Sequence, residues 1–310
     1  MIRSVRLLVA LAAALIAVSA CGASTPELPP NSPAEMLSLL NANDDLLTNV
    51  TTYEWDDDGA AAGARFTWIS RGDDDADQAA ASLAGYLMSD HTKLAALGSG
   101  FLGLTKVPAA QLNPQLIRDY AIALTPHLGE LVGGRQSAFD SLRTQVVDDP
   151  LALRNLLSVF VSDPESGRTA IEATHASAER YEEAAAADPP DSDEAVDALK
   201  AAGSLLGAAY GAVELAASDI PTPPVGPADS EMAVRIATIL VPADPNPAIV
   251  SKYVQDGRLM SPSEVESKFS STAMRTYYLD LQNYIGTKGF ENGQNAFSAA
   301  FTASAGVPPP

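Results

Sequence analysis

The chain has 310 residues, and its 39 acidic against 19 basic side chains give a formal net charge of −20. This balance favours solubility and disfavours nucleic acid or an anionic lipid surface as a partner. A single cysteine excludes an intramolecular disulfide, and the three histidines stand far apart in sequence. No cofactor or metal-binding motif occurs, so we expect neither a cofactor nor a metal.

The amino terminus reads as an export signal. Arg3 and Arg6 precede an apolar stretch from Leu7 to Val18, which is shorter than the roughly 20 residues that a membrane span needs. Small residues then lead to Ala20 and Cys21, a pattern typical of a bacterial lipobox. We therefore predict cleavage between Ala20 and Cys21, diacylglycerol on the Cys21 thiol, and a lipid anchor on the extracytoplasmic face of the cell membrane. An ordinary signal peptide with a chance cysteine is the alternative.

Proline-rich stretches suggest how the rest of the chain is divided. The run from Pro221 to Pro227 would interrupt any helix or central strand, and residues 21–33 resemble an extended tether. The predicted parts are a signal peptide (1–20), a tether (21–33), a main helical domain (34–220), a linker (221–228), a C-terminal helical segment (229–304) and a disordered tail (305–310).

Alanine-rich stretches at 79–97 and 195–217 favour helix, because alanine is the best helix former. Apolar residues recur there and elsewhere at helical spacing, as in Leu199, Leu206, Tyr210 and Val213. We predict a mostly α protein, built as a multi-helix bundle or as an α-solenoid-like body.

Helix starts are marked by an Asx or Ser residue followed by proline, a cap followed by a first helical residue. Ser261 with Glu264 adds a capping box, and Pro126 should divide the helix predicted over 114–132. The pairs are Asn113-Pro114, Asp149-Pro150, Asp163-Pro164, Asn246-Pro247 and Ser261-Pro262.

One region is open to two interpretations. Residues 50–55 and 65–70 are rich in β-branched and aromatic side chains and could pair as a short β-hairpin. The small residues at 59–63 and the carboxylates of Asp56, Asp57 and Asp58 favour helix for the second stretch.

No catalytic residue can be assigned from the sequence. The acidic run from Glu54 to Gly59 begins like a calcium loop, but Arg65 stands where such a loop needs a glutamate. His91, His127 and His175 are each predicted to lie at the surface or at a helix end. Hydrolysis of a polymer by a pair of carboxylates stays an alternative, because in a chain this acidic some pair will lie at a distance suited to such catalysis.

A set of aromatic, glycine, alanine and proline residues in the range 53–133 carries a family resemblance. These residues are Trp55, Asp57 to Gly59, Ala61 to Gly63, Phe66, Trp68, Ala84, Tyr86, Leu87, Asn113, Pro114, Leu116, Tyr120, Ala121, Ala123, Leu124, Pro126, Leu131 and Gly133. In them the sequence resembles actinobacterial proteins encoded near type VII (ESX) secretion systems and termed TPR-repeat-region proteins. The resemblance implies a helical body, a mycobacterial source and a link to type VII secretion, and it carries no catalytic residue. The lipobox and the lack of a TPR consensus depart from the family pattern.

These observations favour a non-catalytic binding or scaffold lipoprotein of the cell envelope. Its expected partners are the bilayer, through acylated Cys21, and another envelope protein bound to the helical body. An envelope hydrolase using paired carboxylates and a carrier of a small ligand are the alternatives. Two facing carboxylates in a deep cleft would favour the hydrolase. A closed apolar cavity would favour the carrier, and a shallow groove lined by helices would favour the scaffold protein.

Overall fold

The computed structural model describes residues 25–42, 45–99 and 105–306, and for Ser99 it describes the backbone alone. These residues are mostly helical, so the predicted mostly α class is confirmed. The elements of the first half are α1 Pro33–Ala42, α2 Asp45–Thr52, α3 Ala60–Gly63, α4 Asp74–Leu94, β1 Leu97–Ser99, β2 Thr105–Val107, α5 Ala109–Leu112, α6 Pro114–Leu124, α7 Asp140–Asp148 and α8 Ala152–Val161.

The second half contains the longest helices. Short 3-10 turns join several elements, and a π-helical turn over Gly286–Phe290 joins the last two helices. The elements are α9 Pro164–Ala187, α10 Asp193–Ala216, α11 Val225–Leu240, β3 Val254–Gln255, β4 Arg258–Leu259, α12 Pro262–Phe269, α13 Met274–Ile285 and α14 Glu291–Ala305.

Two of the predicted helix caps form as expected. The Asp163 carboxylate accepts hydrogen bonds from the backbone N–H groups of Glu165 and Ser166 at the start of α9, at 3.2 and 2.9 Å. Ser261 and Glu264 form the predicted capping box of α12. The helix predicted over 114–132 does divide, because α6 ends at Leu124 and a 3-10 turn follows over Thr125–Leu131.

The other three Asx-proline pairs behave differently. Asn113 precedes α6, but its side chain makes no capping bond and binds a distant loop instead. Asp149 ends α7, and α8 begins only at Ala152. Asn246 leads into a 3-10 turn over Ala248–Tyr253 and not into an α-helix.

Residues 50–70 take the helical alternative. They contain the end of α2, all of α3 and most of a 3-10 turn over Thr67–Arg71. The two antiparallel hairpins lie elsewhere, with β1 paired to β2 and β3 paired to β4. Several β-branched and aromatic residues of this range pack in the core instead, and Val50, Phe66 and Ile69 are buried.

Helix α10 is the centre of the molecule and packs against α8, α9 and α14. Its contact with α14 is a glycine seam, in which Gly203, Gly207 and Gly211 face the backbone of the other helix. A Cβ atom added at these glycines would lie 2.2, 2.1 and 2.4 Å from the carbonyl oxygens of Phe297, Phe301 and Ala305. Because α14 lies far along the chain from α10, the arrangement is a bundle and not a stack of successive repeats.

The predicted C-terminal segment packs against the predicted main domain. Helix α11 begins at Val225, inside the predicted 221–228 linker, and packs against α9 and α13. The C-terminal segment thus covers both long helices of the main body. At the other end, α14 continues to Ala305 and Gly306 adopts a left-handed conformation, so the predicted tail begins with helical residues.

No helix in the described part of the chain is both long and apolar enough to cross a membrane.

Candidate functional site

The predicted lipidation and cleavage residues, Cys21 and Ala20, lie outside the described residues. The acidic run from Glu54 to Gly59 acts at a helix start. The Asp57 carboxylate accepts hydrogen bonds from the N–H groups of Gly59 and Ala61, at 3.1 and 2.9 Å. Asp73 likewise caps α4 through the N–H of Ala76 at 2.9 Å. Over the described ranges, no group of three or more metal-ligating side chains could hold a metal ion.

The histidines occupy three different environments. His91 lies in the last turn of α4, and its Nδ1 is 2.9 Å from the Met88 carbonyl. His127 is predicted to lie at the surface or at a helix end, but it is buried inside the 3-10 turn over Thr125–Leu131, and both of its ring nitrogens have partners inside the protein. Its Nε2 donates to the Ile69 carbonyl at 2.9 Å, and its Nδ1 lies 3.2 Å from the Asp77 carboxylate. Burial raises the pKa of Asp77, and His127 opposes that rise.

Three of the residues that carry the family resemblance, Trp55, Asn113 and Tyr120, take part in a network of hydrogen bonds. Asn113 is fully buried, and its Oδ1 accepts from the Trp55 N–H at 3.1 Å. Its Nδ2 donates to the carbonyls of Thr51 and Tyr53, at 3.2 and 2.6 Å. The Tyr120 hydroxyl lies 3.1 Å from the Thr51 hydroxyl, also in the interior. This part of the motif therefore joins the α2–α3 loop to α6.

An open groove of about 990 Å³ runs along α9. One wall is a face of α9, and the opposite wall is the non-helical segment that follows α10, from Ala217 to Pro221. The end of α8 and two residues next to or in α5 complete the lining. Apolar contacts come from Val161, Ile171 and Ile220. The groove is thus bounded by helices and is partly apolar.

Charged and polar groups run along the α9 wall. Four side chains at helical spacing share one face of α9: Arg168, Glu172, His175 and Glu179. All of them except His175 are exposed. Neither Arg168 nor Glu172 forms an ion pair with another described residue. Burial lowers the pKa of His175, and its Nε2 is buried without a hydrogen-bond partner in the described structure. The groove therefore offers a partly buried imidazole beside two ionic side chains that form no ion pair with another described residue.

An ion-pair cluster lies at the edge of the groove. Arg235 of α11 binds Glu179 at 2.7 Å and also binds Glu182, both on α9. Glu182 is buried, and this burial raises its pKa to about 7 although Arg235 acts in the opposite direction. Since one guanidinium holds both carboxylates, the cluster links α11 to α9.

Sequence reasoning missed the groove, because its walls come from segments far apart in the chain. The α9 wall did carry a signal in the helical spacing from Arg168 to Glu179. The opposite wall depends on where the chain runs after α10, which no local pattern specifies.

A search of protein-family models, of curated proteins and of solved structures found no match to this chain.

Proposed function

We propose that this protein is a lipid-anchored, extracytoplasmic lipoprotein that acts as a non-catalytic binding or scaffold protein in the cell envelope. The lipobox at Cys21 supports the anchor, and the family resemblance supports a link to type VII secretion. The observation that carries the binding role is the groove along α9. Its partner is another envelope protein, which presents an amphipathic helix or an extended segment to this groove.

The groove has the features that such a segment needs. Ile220 is half-buried and provides apolar contact area, and the almost fully buried Val161 and Ile171 also line the groove. Arg168 and Glu172 stand on the rim, where charges mainly select the partner and its orientation. The buried Nε2 of His175 gains a hydrogen bond when a polar group of the partner reaches it.

The test is site-specific photo-crosslinking in cells of the native host. A photo-reactive amino acid replaces Glu172 in one strain and Glu266 in another, because both glutamates are exposed and lie on helices but only Glu172 lines the groove. We expect an adduct of one discrete mass from position 172 and none of that mass from position 266. Adding Arg168→Glu in the same chain should weaken the adduct.

Equal adducts from both positions, or no adduct from position 172, would contradict the proposed groove function. A catalytic role for the protein would instead require turnover of an envelope polymer.

A further inference from the structure

A second, polar groove of about 740 Å³ lies on the C-terminal segment. It is bordered by the start of α11, the end of α13, the π-helical turn and the first half of α14. The buried Met232 contributes an apolar contact, and Gly286 leaves room at the turn. Every other described lining residue has a polar side chain, and none is basic or aromatic.

Asp229 is the half-buried carboxylate of this groove. Its two oxygens lie 2.9 and 3.0 Å from the hydroxyl oxygen of Ser298, which has one proton and donates to one of them at a time. Burial raises the pKa of Asp229 to about 6. A carboxylate accepts about four hydrogen bonds when fully satisfied, so Asp229 has capacity left for donors from a ligand.

Side-chain amides supply the complementary groups. Gln294 donates through Nε2 to the Gln282 carbonyl at 3.2 Å, across the corner between α13 and α14. Asn283 and Asn295 are exposed and make no side-chain hydrogen bond within the described structure. Each free amide offers two N–H donors and a carbonyl acceptor at the same site.

We propose that this groove binds a neutral polyhydroxylated ligand, such as a short oligosaccharide segment. A hydroxyl group donates and accepts at once, so it satisfies the Asp229 carboxylate and the amide N–H groups together. An ammonium or guanidinium group has donors only, so it can bind the carboxylate and the amide carbonyls but accepts no hydrogen bond from the amide N–H groups of Asn283 and Asn295. An anionic sugar is disfavoured, because Asp229 and Glu291 both line the groove.

The test is saturation-transfer NMR on the full mature protein with four separate probes. Maltotriose, cellotriose and triacetylchitotriose are the neutral oligosaccharides, and spermidine is the cationic probe. We expect saturation transfer to at least one oligosaccharide and an affinity about tenfold lower in Asp229→Asn, the change expected when one hydrogen bond to a charged group is weakened. Failure of all three oligosaccharides overturns the proposal, and so does binding of spermidine alone.

Two further variants locate the site. Gly286→Leu should abolish oligosaccharide binding while the protein stays folded, because a Cβ there would meet only the Gln294 Oε1 at 3.6 Å. Asn295→Ala should weaken binding, and Asn292→Ala is its matched control, since both asparagines are exposed on α14 but only Asn295 lines the groove. Binding that is unchanged in Gly286→Leu, or equally weakened in both asparagine variants, overturns the assignment. This test is independent of the α9 groove.

Discussion

The Asn113 side chain binds residues far away in the chain, whereas the predicted cap Asp163 binds only the residues that follow it. Its side chain accepts one bond and donates two, each to backbone groups of residues 51–55. The sequence suggested a simple helix cap, because an asparagine before a proline is the usual cap pattern. A local sequence pattern does not reveal hydrogen bonds to residues 51–55, which are far away in the chain. These long-range hydrogen bonds determine the role of Asn113.

Replacing Asn113 by aspartate tests the network. The carboxylate keeps the acceptor for the Trp55 N–H but places oxygen against the carbonyls of Thr51 and Tyr53. We expect the free energy of unfolding at neutral pH to fall by about 3 kcal/mol, measured by urea denaturation. The exposed Asn292→Asp should change it by less than about 0.5 kcal/mol. A similar small loss for both variants would mean that the Asn113 bonds add little.

Asp229 predicts a dependence of stability on pH. Its pKa in the folded protein, about 6, lies above the usual value of an aspartate, so the folded state holds a proton that the unfolded state has released. Stability from this group is therefore present below pH 4 and is lost as the pH rises through 6. The melting temperature of Asp229→Asn should exceed that of the wild type at pH 7.5, and the difference should shrink at pH 4.5. Equal differences at both pH values would contradict the raised pKa.

At the scale of elements, the glycine seam between α10 and α14 is the most extensive contact between two helices in the described part of the chain. A methyl group at Gly207 would lie 2.1 Å from the Phe301 carbonyl oxygen, a distance that forces the two helices apart. We expect Gly207→Ala to lower the free energy of unfolding by about 3 kcal/mol or more, as measured by thermal and urea denaturation.

Gly85→Ala is the control for the seam. Gly85 is inside α4, and a Cβ atom there would meet only the Leu142 Cδ2 at 3.4 Å. Alanine is the better helix former, so this variant should be neutral or more stable by up to about 1 kcal/mol. Destabilisation of the same size in both variants would show that helix packing is not the cause.

The elements themselves were partly predictable. Alanine-rich composition and helical spacing predicted the α class, and Asp163 and Ser261 marked the starts of α9 and α12. The glycines at 203, 207 and 211 repeat at every fourth position, a pattern that could have predicted a close helix contact. The identity of the facing helix could not be predicted, because it depends on tertiary packing.

At the scale of the whole molecule, the two grooves lie on different parts of one bundle. The α9 groove uses the main body, whereas the polar groove uses α11, α13 and α14. Composition predicted an acidic helical protein but gave no sign of either groove, since both are made where distant segments meet. The lipobox differs from the grooves, because it is a short local pattern and such a pattern is enough to predict a site of modification.

The lipid anchor on Cys21 can be tested in a single experiment. The native protein and Cys21→Ala are expressed in an actinobacterial host, separated into membrane and soluble fractions, and analysed by intact mass spectrometry. We expect the native protein to be membrane-bound, to begin at Cys21 and to carry the mass of acyl chains. The variant should lack acyl chains and leave the membrane fraction. Soluble, unmodified protein in both cases would contradict the lipoprotein assignment.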